Sequence, residues 1–386
     1  MKTISSLVSL CLLGALSTEA QEKAQPHLSI KLEMKRAIER GNAYLKSQQH
    51  ADGYWGQSKY PAITALTLTS AMRSPSYEKS EHISKGYNWL LKQQKEDGGI
   101  YVEGLGTYNT ATSLVALVAS GDESYTPNIL KARKYLIGLQ TTEANRGEIS
   151  QKHIGGVGYG GTYKHSDLSN THLAMEALRL SRHIAQDDAN GKQPELNWDA
   201  AMEFVSRTQN LQATNKEPGI SNDGSFVYFP GNSKSLEKNV NPDGTNTLRG
   251  YGSMSYAGLL SMIYAELDAE DVRVKAVKKW LSQHYTVKEN PGLATKEDPS
   301  LGQQGLYYYY HAMAKGLAAA NIDQLTLDDG SKVDWRKDLG RVMLGKQREN
   351  GSWINAENSR WWESDPVLVT AYAVMTLEQI YYSIPE

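Results

Sequence analysis

The sequence feature that most constrains the fold is an internal repeat in which a helix ends at a glutamine and a glycine-containing turn. In the fullest copy, RGNAYLKSQQHADGYWG (residues 40–56), Gln49 is followed by Gly53 and then by Trp55. Asp before Gly is typical of turns, and glycine permits the positive φ that ends a helix. The frame recurs, in full or in part, in residues 85–101, 132–140, 201–210 and 340–353. Such recurrence predicts one array of helical units that share a core.

A second, more apolar helix is predicted after each turn. Six such segments are present, in residues 61–72, 110–120, 168–180, 252–267, 303–320 and 366–382. Several begin with Pro or a capping residue, and a helix that is apolar nearly all round must be buried on every side. The sequence therefore predicts an all-α fold, an (α/α)6 toroid with six inner and six outer helices, formed by residues 21–386 as a single domain. The polar stretch 231–248 is predicted to be a loop over one face.

The N-terminus and the composition indicate an exported protein without disulfides. Residues 1–20 have a lysine, an apolar run and small residues, which is typical of a secretory signal peptide. The one cysteine, Cys11, lies within this run. No later segment is long and apolar enough to span a membrane. With 41 Lys+Arg against 43 Asp+Glu, the chain shows no sign of a nucleic-acid partner. We expect a periplasmic or secreted protein.

The Gln-x3-Gly-x-Trp frame of residues 49–55 and its copies resemble the repeats of squalene and terpene cyclases and of protein prenyltransferase β subunits. The chain would be a secreted, bacterial-type member of that superfamily. The resemblance implies a toroid whose central cavity, lined at the N-termini of the inner helices, holds an isoprenoid or other lipid. The residues that it places at this cavity are Tyr108, Asn109, Ser169, Asn170, Tyr251, Tyr308, His311, Trp361 and Trp362.

The catalytic motifs of these families are incomplete here. Triterpene cyclases carry Asp-x-Asp-Asp-Thr before an inner helix, and the central acid protonates an alkene. Aligned with residues 167–171, Asp167 and Thr171 match, whereas Ser169 replaces the central acid and Asn170 the last one. A serine hydroxyl cannot perform that protonation. Prenyltransferases hold zinc through Asp, Cys and His, and no cysteine follows Cys11. We therefore expect no metal and no cofactor.

Four residues are candidates for acid–base chemistry: Asp167, His172, Glu363 and Asp365. Each has a structural alternative, because an Asp before a helix is commonly its N-cap and a histidine on an apolar helix is commonly a satisfied core residue. Trp361 and Trp362, next to two acids, favour sugar stacking together with acid–base catalysis. Of the four consecutive tyrosines 307–310, two are expected to face the cavity and two to pack on neighbouring helices.

Three functions remain open at this point. The first is a cyclase-like toroid that binds, and could modify, an isoprenoid or other lipid. The second is a carbohydrate-active hydrolase or lyase on the same toroid, and the third is a non-catalytic binding or scaffold protein. The expected ligand is a small lipid or a glycan, and the sequence identifies no protein partner.

Overall fold

The computed structural model describes residues 28–161, 165–188, 191–240 and 244–384. The predicted signal peptide, residues 1–20, lies outside them. The described residues contain these α-helices: α1 Leu28–Ser47, α2 Pro61–Arg73, α3 Glu81–Leu91, α4 Gly106–Ala119, α5 Thr126–Gly138, α6 Leu168–Leu180, α7 Arg182–Gln186, α8 Trp198–Arg207, α9 Gly252–Tyr264, α10 Val272–Gln283, α11 Leu306–Ala319, α12 Trp335–Gly345 and α13 Pro366–Ser383.

Two short antiparallel hairpins accompany the helices. Strands β1 (Lys238–Val240) and β2 (Asn246–Leu248) pair with Lys238 opposite Leu248, within the predicted loop 231–248. Strands β3 (Leu325–Thr326) and β4 (Lys332–Val333) pair between α11 and α12. Neither hairpin interrupts the succession of helices.

The inner helices form a closed ring. Helix α2 packs on α4, α4 on α6, α6 on α9, α9 on α11, α11 on α13, and α13 returns to α2. The outer helices α1, α3, α5, α8, α10 and α12 pack against the outside of this ring. Residues Gly252 to Met262 of α9 are all buried, as expected for a helix enclosed on every side. The predicted (α/α)6 toroid is confirmed.

The repeated glutamine and glycine join each turn to the next outer helix. In five turns of the described chain, the glutamine Nε2 donates to the carbonyl of the turn glycine and to a carbonyl of the next outer helix or its cap. The glycines have positive φ, and a Cβ on any of them would lie 1.8–2.6 Å from a carbonyl oxygen of that helix. The glutamine–glycine pairs are Gln49–Gly53, Gln94–Gly98, Gln140–Gly155, Gln209–Gly224 and Gln347–Gly351. Only glycine fits this approach.

The tryptophans of the repeat pack across to neighbouring units. The Trp55 indole donates to the Leu45 carbonyl oxygen at 2.6 Å, and a Cβ on Gly86 of α3 would lie 2.7 Å from its ring. Trp353 donates to Met343 in the same way, at 2.8 Å. None of the described helices combines the length and apolar character that a membrane span needs.

Candidate functional site

The lumen of the inner ring contains two adjoining chambers. The N-side chamber, about 230 Å3, lies among the N-terminal ends of the inner helices and their preceding loops. The C-side chamber, about 250 Å3, extends toward the C-terminal ends of the same helices. Tyr108, Leu173, Tyr308 and Tyr372 line both chambers and so form the boundary between them.

Three of these boundary residues form a tyrosine layer: Tyr108, Tyr308 and Tyr372. The hydroxyl groups of Tyr108 and Tyr372 share a hydrogen bond of 2.8 Å, and the rings of Tyr308 and Tyr372 meet edge to face at 5.9 Å. Burial raises the pKa of Tyr108 to about 12, so its hydroxyl is neutral at physiological pH. The layer narrows the lumen with three aromatic rings, two of which are joined through their hydroxyl groups.

Of the four consecutive tyrosines, one faces the lumen rather than the expected two. Tyr308 lines both chambers. Tyr309 and Tyr310 instead donate to the carbonyl oxygens of Thr286 and Val287, at 2.8 and 2.7 Å, in the segment after α10. The expectation fails because the inner helix presents only a narrow stripe to the lumen, and its other faces pack on neighbours.

Glu363 is a buried carboxyl group at the wall of the N-side chamber. It is 1% exposed, and its Oε1 accepts hydrogen bonds from the backbone N–H groups of Tyr307 and Tyr308, both at 2.9 Å. Its Oε2 accepts from Asn355 Nδ2 at 2.7 Å. Burial raises the pKa of Glu363 to about 7, against the lowering effect of these donors. The side chain thus caps α11 from a distant loop and titrates near neutral pH.

Trp361 and Trp362 form an aromatic rim beside Glu363. Both have positive φ, 58° and 61°, which is strained backbone for bulky side chains. Trp361 packs on Gly305, where a Cβ would lie 2.6 Å from the indole ring. Trp362 is 46% exposed and contacts Tyr60 with ring centroids 5.0 Å apart. This backbone conformation places both indoles at the wall of the N-side chamber.

Asp167 is the N-cap of α6. Its Oδ1 accepts from the Asn170 backbone N–H at 2.9 Å and its Oδ2 from Asn170 Nδ2 at 2.7 Å. Burial raises the pKa of Asp167 to about 6, against the lowering effects of Asn170, Lys234 and Tyr228. Asp167 is fully buried and does not line either chamber, whereas Ser169 and Asn170 line the N-side chamber.

Two further predicted site residues act at helix starts. Asn109 Oδ1 accepts from the Ala62 backbone N–H at 3.0 Å, and Asp365 Oδ1 accepts from the Val367 N–H at 2.8 Å. These bonds stabilise the first turns of α2 and α13. Neither side chain lines a chamber. Tyr251, by contrast, lines the N-side chamber.

His172 and His311 line the C-side chamber, next to ionic residues that the sequence did not single out. His172 Nε2 lies 3.8 Å from Glu176 Oε2, and Glu176 Oε1 is paired with Lys315 Nζ. Burial lowers the pKa of His172 to about 4, so the ring is neutral at physiological pH. Arg73 stands at the rim of the same chamber.

The loop 231–248 contributes Lys234 to the N-side chamber. Its ammonium lies 4.1 Å from the centroid of the Tyr228 ring, a cation–π contact. Tyr228 in turn shares a hydrogen bond with Tyr159, and both line the chamber. Across residues 28–161, 165–188, 191–240 and 244–384, no three His, Cys, Asp or Glu side chains are grouped as a metal ion would require.

Comparison with known proteins supports the fold. No protein-family profile matches the chain. Lanosterol synthase erg7A of Aspergillus fumigatus is 32% identical over 143 residues, which span 32% of this chain and 18% of that enzyme. The type II terpene cyclase MstE from Scytonema, in complex with merosterolic acid A, superimposes with a TM-score of 0.53 at 13% identity, covering 92% of this chain and 99% of MstE.

A second kind of enzyme has the same architecture. A glycosidase variant superimposes with a TM-score of 0.54 at 12% identity, and another, in complex with glucose, with a TM-score of 0.52; each match covers 93% of this chain and 99% of the glycosidase. At such identities the likeness establishes the fold alone. The chain therefore has a toroid fold that terpene cyclases and glycosidases share.

Proposed function

We propose that this protein is an exported toroid that binds an isoprenoid or other largely apolar lipid in its lumen. The observation that carries the proposal is the aromatic and aliphatic lining of the two adjoining chambers. Its members are Leu66, Leu105, Tyr108, Ala111, Val115, Leu173, Tyr251, Met254, Leu260, Tyr308, Leu368, Tyr372 and Met375. Together the chambers reach the range of about 300–1,000 Å3 that small-molecule pockets occupy.

Binding is better supported than cyclisation of the ligand. Starting a cyclisation cascade requires a carboxylic acid strong enough to protonate an alkene. Burial raises the pKa of Glu363 to about 7 and that of Asp167 to about 6, which makes both weaker acids than usual. Both oxygens of each group also accept hydrogen bonds that hold the backbone or a neighbouring amide. Glu363 remains the candidate for milder proton transfer, since it lines the N-side chamber.

The proposal is tested by isolating the protein with its ligand. The chain without residues 1–20 is secreted under a standard signal, and native mass spectrometry and solvent extraction identify what is bound. We expect a lipid in the isoprenoid mass range. In Leu173→Trp the larger side chain enters both chambers, so the lipid should be lost. The control Leu236→Trp changes a residue that is 74% exposed and should retain it. Equal lipid in both variants would place the ligand outside the lumen.

A carbohydrate ligand is the second candidate, and one observation favours it. Trp361 and Trp362 lie beside a carboxyl group with a raised pKa, an arrangement that suits sugar stacking. Isothermal titration with a panel of oligosaccharides, using Trp362→Ala as the comparison, tests this reading. Oligosaccharide binding that depends on Trp362, together with a lipid-free lumen, would replace the lipid proposal.

The cellular location is part of the proposal. It rests on the signal-like residues 1–20, and fractionation of the native host, with detection of the mature N-terminus by mass spectrometry, tests it. An intact N-terminus in the cytosolic fraction would contradict export.

A further inference from the structure

The C-side chamber combines an apolar wall with a cluster of ionic side chains. Arg73, His172, Glu176, His311 and Lys315 all line it, among residues such as Val115, Leu173 and Met375. The side chains of His172, Glu176 and Lys315 are only 4%, 6% and 16% exposed. Placing charges at such depth costs free energy, so a fold that only needed a filled lumen would gain by apolar side chains here.

Two cationic side chains, Arg73 and Lys315, and one carboxylate, Glu176, line the C-side chamber. Lys315 and Glu176 compensate each other in an ion pair. Burial would raise the pKa of Glu176, but the charge and hydrogen bond of Lys315 outweigh it and lower that pKa. Arg73 also faces Glu378, at 3.9 Å, but burial raises the pKa of that carboxyl well above its ordinary value. Glu378 does not line the chamber, and Arg73 also donates a hydrogen bond to Gln379 Oε1 at 2.9 Å.

Two imidazole nitrogen atoms at the chamber have no hydrogen-bond partner within the described residues. They are Nδ1 of His172 and Nδ1 of His311. Burial lowers the pKa of both rings, so each is neutral, with one donor and one acceptor nitrogen; the tautomer that carries the proton on Nδ1 offers a donor at this atom. A buried polar atom without a partner is costly, and an acceptor group on a ligand would relieve that cost.

We propose that the C-side chamber binds the carboxylate of an amphiphilic ligand between Arg73, Lys315 and the two imidazoles, with its apolar chain directed toward the tyrosine layer. The inference rests on the proposed function, because it assigns the polar end of the lipid that the lumen holds. A carboxylate adds one negative charge to a lining that holds two cationic side chains, Arg73 and Lys315, and one carboxylate, Glu176. A phosphate monoester would bring about two charges and leave the chamber with an excess of negative charge.

The experiment compares three probes that share one chain: geranylgeranoic acid, geranylgeraniol and geranylgeranyl phosphate. Affinities are measured by quenching of tryptophan fluorescence. For the unmodified mature protein we expect the acid to bind roughly ten- to a hundredfold more tightly than the alcohol, the gain typical of a hydrogen bond to a charged group. Equal affinities would overturn the inference while leaving lipid binding intact, whereas no binding of any probe would count against the proposed function itself.

Two variants test the inference further, because one removes a positive charge from the chamber and the other removes a negative charge. Arg73→Gln should reduce the preference for the acid at least tenfold, and Glu176→Gln should increase it, since Lys315 is then freed from its partner. The control Lys275→Gln, on the outer helix α10, removes a charge that is 57% exposed and should change nothing.

An acid-to-alcohol ratio that both chamber variants leave unchanged would refute the inference. Tighter binding of the phosphate than of the acid would refute the assignment of a carboxylate. Because Arg73 is 34% exposed, its variant keeps the test available if Glu176→Gln fails to fold.

Discussion

The raised pKa of Glu363 leads to a measurable pH dependence of stability. The ordinary value is 4.5 and the buried group titrates at about 7, a difference that corresponds to about 3 kcal/mol at about 1.4 kcal/mol per pH unit. The folded state binds the proton more tightly than the unfolded state does. The stabilisation is thus complete below the unfolded pKa and is lost as the pH rises through the folded pKa. Between pH 5 and pH 8, the protein should lose about 2 to 3 kcal/mol of unfolding free energy through this group.

The substitution Glu363→Gln isolates that contribution. The glutamine oxygen can still accept from the backbone N–H groups of Tyr307 and Tyr308, but the side chain no longer titrates. Urea unfolding of both proteins at pH 5, 6, 7 and 8 gives the difference in unfolding free energy, in which all other titrating groups cancel. The exposed Glu357→Gln is the matched control and should show a constant difference. A difference for Glu363→Gln that stays constant within about 0.5 kcal/mol across this range would refute the raised pKa.

Three further predictions concern the packing of the toroid. Gly86→Ala should lower the unfolding free energy by about 1 to 3 kcal/mol, because the added Cβ lies 2.7 Å from the Trp55 ring; an unchanged urea midpoint would show that the ring can move aside. Asp365→Ala should cost about 1 kcal/mol and Asp365→Asn much less, since asparagine also caps; equal losses in the two urea titrations would contradict a capping role. Tyr108→Phe removes the hydrogen-bond partner of the Tyr372 hydroxyl and should lower the free energy of unfolding, measured in thermal or urea unfolding, by about 1 to 3 kcal/mol. The affinity for an apolar ligand should stay the same; weaker binding would mean that this hydroxyl contacts the ligand.

The fold could be predicted from the sequence because the repeat encodes contacts between successive units. The glycine of each turn must have positive φ and approach a neighbouring backbone, and the glutamine side chain then reaches two carbonyl groups. The weaker copies ending at Gln140 and Gln209 obey the same geometry although they lack the tryptophan. The Gln347 turn has the same geometry where the ring closes, because the Gln347 side chain donates to the carbonyl oxygen of Ala37 in α1. Backbone geometry at a few positions therefore specifies the whole array.

The site was harder to predict because its residues meet only after the ring closes. Glu363 caps α11, a helix that begins more than fifty residues earlier in the chain. No local sequence pattern predicts such a contact. The ionic cluster of the C-side chamber is weakly indicated by a local sequence pattern. His172 and Glu176 are four residues apart on α6, as are His311 and Lys315 on α11, and this spacing places each pair on one helix face. Polar pairs on otherwise apolar helices are thus a useful sign of a polar lumen.

The segment 167–171 separates what the fold requires from what a reaction would require. Asp167 bonds to the Asn170 backbone N–H, and the Thr171 hydroxyl bonds to the carbonyl oxygen of Asp167 at 2.7 Å and accepts from the Val157 N–H at 2.8 Å. These two residues match the cyclase motif. Their hydrogen bonds stabilise the start of α6, whatever the lumen contains. Ser169, at the position of the central acid, lines the N-side chamber instead. The sequence thus matches the motif at the positions that support the backbone and differs from it at the position that lines the chamber. Its partial match is evidence for the shared architecture, and the proposed lipid ligand rests on the lining of the two chambers.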